Sequence, residues 1–238
     1  MILSGQRGAI VMTAGIVAFG LAPILAPPFT GYDPAIFPVV IARPAIQPAG
    51  YAFAIWGLIY GWLAVHGLVA GIARADQPAW EGHRLALTVS VVLGAGWLFI
   101  APYYPVLATI VILIMAATAL AAFLIAPTTP DRWLLSAPTA IYAGWLTAAC
   151  SVSTGVVLAG YGWLSDTASA LVMLGLVLAG AIYIQSRKPA MPVYGATVVW
   201  AIIGIVVVNW AENTPVAYAA VAGAVVMTAA TAFLSLRR

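Results

Sequence analysis

Eight apolar runs, each about as long as a membrane is thick, constrain this chain more than any other feature. They lie near 8–27, 50–73, 85–103, 104–126, 134–159, 167–186, 191–210 and 215–236 of the 238 residues. No Asp, Glu, Lys or Arg falls near the middle of any of them. A hydrocarbon core about 30 Å thick takes roughly 20 apolar residues of helix to cross. Each run therefore reads as one transmembrane helix. The runs are apolar on all sides, which excludes the short alternating strands of a membrane β-barrel. Only 6% of residues are charged, against about 25% in a soluble globule. The expected fold is all-α, a polytopic membrane helix bundle of about eight transmembrane helices, with the lipid bilayer as its partner. The first run is long enough to span and reads as a helix rather than a cleaved signal peptide. The third and fourth runs are parted only by Pro102-Tyr103-Tyr104-Pro105, where two prolines disfavour helix and predict a tight turn.

Charge supplies the topology. Nine basic residues give a pI near 9.2, but they are scattered at helix ends and form no patch, so nucleic acid is not an expected partner. Arg7, Arg74, Arg84, Arg132, Arg187, Lys188, Arg237 and Arg238 all fall on one side of the predicted bundle, and only Arg43 falls on the other. Cytoplasmic loops of membrane proteins carry such an excess. The reading is a multi-pass protein of a bacterial inner membrane with both termini in the cytoplasm.

One connection is unusual. Residues 28–48, PFTGYDPAIFPVVIARPAIQP, join the first two helices on the outer side. Five prolines, Tyr32, Phe37 and a run of aliphatics are too apolar for a solvated loop. The expectation is an ordered segment folded over the outer helix ends; the alternative is a segment lying among the lipid headgroups.

Groups that carry chemistry are scarce. There is no carboxylate pair and no metal-binding cluster, and the sole lysine sits at a helix end, so no retinal-type Schiff base is expected. His83 is read as a loop residue, and His66, inside the second helix, as bonded to a neighbouring helix. Asn209 reads as an interfacial cap, and Cys150 as a buried, inert thiol. This scarcity argues against an enzyme.

Aromatic residues are plentiful instead. Trp80, Trp133, Trp163 and Trp210 lie at helix ends, where such rings sit at headgroup level. Trp56, Trp62, Trp97, Trp145 and Trp200 lie within helices. Phe53, Trp56 and Tyr60 share one helix face by their spacing. Tyr142 and Trp145 share another, with Ser153 two turns on. Three helices can thus aim aromatic faces at one region beneath the 28–48 segment, or pack ordinarily against their neighbours.

These blocks resemble the tryptophan-rich sensory protein (TspO) family, whose animal members are the translocator protein or peripheral benzodiazepine receptor. Its first loop and second helix carry K-P-x-W-x-P-P-x-W-x-F and V-W-x-x-L-Y. The corresponding text here is Arg43-Pro44, then Pro48-Ala-Gly-Tyr51-Ala-Phe53 and Ile55-Trp56-Gly-Leu-Ile-Tyr60. The family's N-W-x-W-x-P is similar to Gly96-Trp97-Leu-Phe99-Ile-Ala-Pro102. Its Y-x-x-W-L-x-x-A-T-x-x-N is similar to Tyr142 through Ser153, with Trp145 in register. Departures are Ile46 and Tyr51 in place of loop tryptophans, and Gly96 and Ser153 in place of asparagines. The resemblance covers roughly residues 8–160; it implies a five-helix unit over 1–160, with 161–238 as three additional helices.

The resemblance implies a cavity under the first loop that holds a hydrophobic small molecule, porphyrin- or sterol-like. The implied ligand-binding residues are Tyr51, Phe53, Trp56, Tyr60, Trp97, Phe99, Tyr142, Trp145 and Ser153. Aromatics would stack, and Tyr60, Tyr142 and Ser153 would hydrogen-bond. No cofactor is required, although a porphyrin is the implied ligand. A transporter or channel for a small neutral or lipid-like substrate remains the alternative, and a homo-oligomer remains open. The charge pattern makes the first prediction: a reporter fused at Arg238 reports from the cytoplasm, and periplasmic activity there overturns the topology.

Overall fold

The computed structural model describes residues 4–237; Arg238, the last residue of the charge pattern, lies outside them. Among the described residues, eight α-helices follow one another along the chain. They are α1 (Gly5–Leu25), α2 (Ile55–Ile72), α3 (Arg84–Ile100), α4 (Pro105–Ile125), α5 (Ala137–Gly160), α6 (Asp166–Arg187), α7 (Val193–Asn209) and α8 (Thr214–Leu236). The turn at Pro102 falls where the prolines predict it. Short 3₁₀ turns precede α2 at Gly50–Ala54 and α3 at Pro78–Trp80, and a π-turn at Arg132–Ser136 leads into α5. With those turns included, seven of the helices are long and apolar enough to cross a membrane. At 17 residues α7 is shorter, about 25 Å of helix.

The helices form two rings that share one member. α1 packs on α2 and α3, α3 on α4, α4 on α5, and α5 closes the circle on α2. On its other side α5 packs on α6 and α7, and α8 joins those two. As the shared wall, α5 has 18 of its 24 residues buried. Its sequence suits that place, because alanines and glycines let helix backbones approach closely where lipid supplies no hydrophobic drive between helices. At Gly144 a Cβ would lie 2.8 Å from the Tyr194 carbonyl oxygen and 2.9 Å from Thr197 Cβ, so only glycine admits α7 this closely.

The two ends of the bundle differ. One end collects Arg7, Arg74, Arg84, Arg132, Arg187, Lys188 and Arg237, all at helix termini or in the adjoining turns. Arg84, fully buried, donates to the carbonyls of Gly5 and Ala75 at 2.9 and 2.7 Å. Lys188 donates to the Phe123 and Ala126 carbonyls at the end of α4 and lies over the Phe123 ring. The same end also buries two aromatic side chains, one of which the sequence reading placed at the membrane interface. Trp80 is fully buried rather than interfacial, because its indole N–H donates to Asp131 at 2.8 Å. That bond and the Arg74 guanidinium hold the Asp131 carboxyl below the usual range, Arg74 acting most strongly. His83 sits in the turn before α3, a loop position as expected, and is fully buried there; it meets His66 with the two Nε2 atoms 3.0 Å apart. His66 Nδ1 faces the Leu134 carbonyl at 2.8 Å. A carbonyl only accepts, so His66 carries its proton on Nδ1, and His83 Nε2–H donates to His66.

The close contact at Gly144 can be tested in detergent. Gly144→Ala forces α5 from α7 and should cost about 1–3 kcal/mol, the scale of core overpacking. Gly180, whose Cβ would meet nothing within 4 Å, is the matched control. Thermal unfolding should move down for Gly144→Ala and stay put for Gly180→Ala; equal curves would refute the tight α5–α7 contact.

Candidate functional site

The ring of α1, α2, α5, α4 and α3 encloses an aromatic chamber toward the end opposite the arginines. Its volume is about 360 Å³, and all five helices contribute to its lining. Phe53 and Trp56 come from the 3₁₀ turn and the first residues of α2, where the chain passes from turn to helix without a break. Tyr60 follows one turn later and stacks on Trp56 at 5.3 Å. Trp145 of α5 meets Phe53 edge-on at 5.7 Å and Trp56 edge-on at 6.0 Å. Trp97 of α3 stands on the facing wall, its N–H donating to the Ala108 carbonyl at 2.8 Å. Polar atoms are few, and one is conspicuous: the Trp145 indole N–H is buried without a hydrogen-bond partner.

A narrower cavity of about 70 Å³ shares the Phe53, Trp97 and Trp145 walls and runs beneath Gln47 and Pro48. Ser153 lines it, but its hydroxyl is already engaged. Tyr32 Oη is 2.6 Å from Ser153 Oγ, and Thr109 Oγ1 is 2.7 Å away on the other side. Burial pushes the Tyr32 phenol upward, against a smaller opposing effect of its Ser153 bond, so it stays a neutral hydrogen-bonding group. The proline-rich segment therefore reaches into the bundle and closes over the chamber. Ile46 and Phe37 are buried, and Phe29 packs edge-on against Trp97 at 5.0 Å.

Of the nine residues expected at the site, Phe53, Trp56, Tyr60, Trp97 and Trp145 line the larger chamber and Ser153 the smaller. Three do not line either cavity. Tyr142 is fully buried beside them, in contact with Phe19 and bonded to Ser90 at 2.9 Å. Phe99 lies 47% exposed, on the outward side of α3. Tyr51 is 46% exposed and sits edge-on to Trp200 at 5.7 Å. The 3₁₀ turn separates it from Phe53 by the angle that sends the two rings to different sides.

Sequence reasoning missed Phe19, Phe29 and Met115, which also line the chamber. Phe19 sits in a uniformly apolar helix with no pattern to single it out. Asn209 is also not the interfacial cap expected: it is 2% exposed and donates to the Ala45 carbonyl at 2.7 Å. Among the described residues, no group of three or more His, Cys, Asp or Glu side chains could hold a metal ion.

Searches of curated proteins and of solved structures return no match to this chain. A family model, that of the TSPO-like protein, matches residues 41–233. The match opens in the proline-rich segment, takes in the aromatic blocks of α2, α3 and α5, and continues through α6 and α7 into α8. It thus runs well beyond residue 160, where the resemblance read from the sequence stopped. On that match this multi-pass membrane chain belongs to the TSPO-like protein family.

Proposed function

We propose that this protein binds a flat, hydrophobic small molecule in the aromatic chamber beneath the proline-rich segment, and that it senses or handles a tetrapyrrole- or sterol-like compound. One observation carries the reading. Trp56, Tyr60, Trp97 and Trp145, from three helices, converge on a chamber of about 360 Å³. That volume falls at the lower end of small-molecule sites, which run from about 300 to 1,000 Å³ and combine apolar walls with a few placed polar groups. Stacked and edge-on rings suit a planar ligand. The unpartnered Trp145 N–H is the placed polar group, and it favours a ligand with a hydrogen-bond acceptor on its edge. Membership of the TSPO-like family supports a hydrophobic ligand, and the resemblance to porphyrin-binding members points to the tetrapyrrole. The location that goes with this reading is a bacterial inner membrane with cytoplasmic termini, supported by the basic residues gathered at one end.

The chamber residues act here by binding and orientation. Trp56 and Tyr60 offer faces, Trp145 an edge and a donor, and Tyr32 with Phe29 closes the site from above. No proton transfer is assigned to them.

Protoporphyrin IX titrated into the detergent-solubilised protein should quench tryptophan fluorescence saturably. Losing one stacking contact costs on the order of 1 kcal/mol, about fivefold in affinity at 1.4 kcal/mol per tenfold. Trp97→Ala and Trp145→Ala should each weaken binding by that amount. Trp145→Phe, which keeps a ring and removes the N–H, should fall between them and the native protein. Trp163→Ala, at an exposed helix end, should bind normally and controls for partition into micelles. If all four variants bind like the native protein, the aromatic cluster is packing and the ligand reading is wrong.

A further inference from the structure

Phe29 and Tyr32 tie the start of the covering segment to the first ring, but residues 39–52 are held mainly from the other side. Val39 N–H donates to the Gly160 carbonyl at 2.9 Å, at the end of α5. Ala45 is gripped at both backbone groups: its N–H donates to the Asp166 carboxylate at 3.0 and 3.1 Å, and its carbonyl accepts from Asn209 at 2.7 Å. Ala49 N–H donates to the Gly204 carbonyl at 3.0 Å, and Trp200 donates to the Ala52 carbonyl at 2.9 Å. Asp166 opens α6, while Trp200, Gly204 and Asn209 are spaced along α7. A non-helical backbone at membrane depth survives only where the protein satisfies its polar groups, and here α6 and α7 do most of that.

The same helix reaches the site itself. Ala201 and Ile205, one turn apart on α7, form part of the lining of the narrow cavity, together with Ala148 and Val152 of α5. The contact is close: a Cβ on Gly204 would stand 2.8 Å from Pro48 Cβ and 3.1 Å from Ala52 Cβ.

We infer that α6 and α7 hold the roof of the binding site and complete its wall, so that Asp166 and Asn209 are positioning residues for the 39–52 stretch and Ala201 limits the size of ligand that the narrow end admits. The second half of this inference rests on the ligand-binding reading above; the first half is decided without any ligand.

Three sets of full-length variants test it in detergent. Hydrogen exchange is read first, with no ligand present. Asn209→Ala and Asp166→Ala should speed exchange across residues 39–52 while leaving the middle of α4 at its native rate. Asp166→Asn keeps an acceptor oxygen and should restore near-native exchange, which general damage to α6 would not allow. Protoporphyrin IX is then mixed rapidly with each protein. A loosened roof raises the association and dissociation rates together, whereas a merely destabilised protein shows no faster association. Ala201→Phe should weaken porphyrin binding by about tenfold or more, the scale of an overpacked contact, with exchange of 39–52 unchanged.

Native-like exchange in both alanine variants at Asn209 and Asp166 overturns the roof assignment. Native affinity in Ala201→Phe overturns the wall assignment. If the native protein binds no porphyrin, the wall assignment falls with the ligand reading, and the exchange result alone still judges the roof.

Discussion

Everything in this bundle depends on a helix that has no free side. α5 is the wall between two rings, and a helix flanked on both sides cannot carry large residues everywhere. Its bulk is concentrated where space exists, at Tyr142 and Trp145 toward the first ring. Nine of its 24 residues are glycine or alanine, and Gly144 lets α7 approach its backbone. In lipid, close packing replaces the hydrophobic drive that would hold a soluble core together. The position of α5 thus fixes both where the aromatic chamber lies and how near α7 comes to it.

A second constraint acts at the chamber end. The chain between α1 and α2 must cross the top of the bundle with no more than short 3₁₀ turns at Pro34–Ile36 and Gly50–Ala54, yet it carries backbone donors and acceptors that cost free energy if buried unpaired. Prolines remove some of the donors. Asp33 bonds the Ala35 N–H at 2.9 Å, and Tyr32 reaches Ser153. Groups of α5, α6 and α7 take the Val39, Ala45 and Ala49 N–H and the Ala45 and Ala52 carbonyls. The opposite end solves the same problem with cations: Arg84, Arg132 and Lys188 donate to carbonyls left open in turns and at helix ends. Positive charge at that end therefore has a structural use besides any role in orienting the chain.

Much of this was legible in the sequence. The eight runs gave the eight helices, because uniform apolarity over about 20 residues has few other solutions in a membrane. The Pro102–Pro105 turn was readable from proline chemistry. The i, i+3, i+7 spacing of Phe53, Trp56 and Tyr60 found one wall of the chamber. What stayed hidden depends on long-range contacts. Trp80 looks like an interfacial ring until Asp131, 51 residues away, is seen to bond it. Asn209 looks like a cap until Ala45, 164 residues away, is placed beside it. Tyr51 and Phe99 came from the family motif alone, and a motif carries no information on which way each of its aromatics faces; both rings are half-exposed and line neither cavity. Phe19 carries no signal in a helix that is apolar all round.

The 3₁₀ turn at Gly50–Ala54 joins the roof to the wall. It runs into α2 without a linker, so Ala52, tied to Trp200, and Trp56, lining the chamber, are four residues apart on one stiff stretch of backbone. Cover and cavity are therefore joined through a continuous stretch of backbone, with the turn at their junction. The five-residue turn that is tied to α7 through Ala52 also carries Phe53 into the chamber wall, so one short stretch of backbone serves both parts.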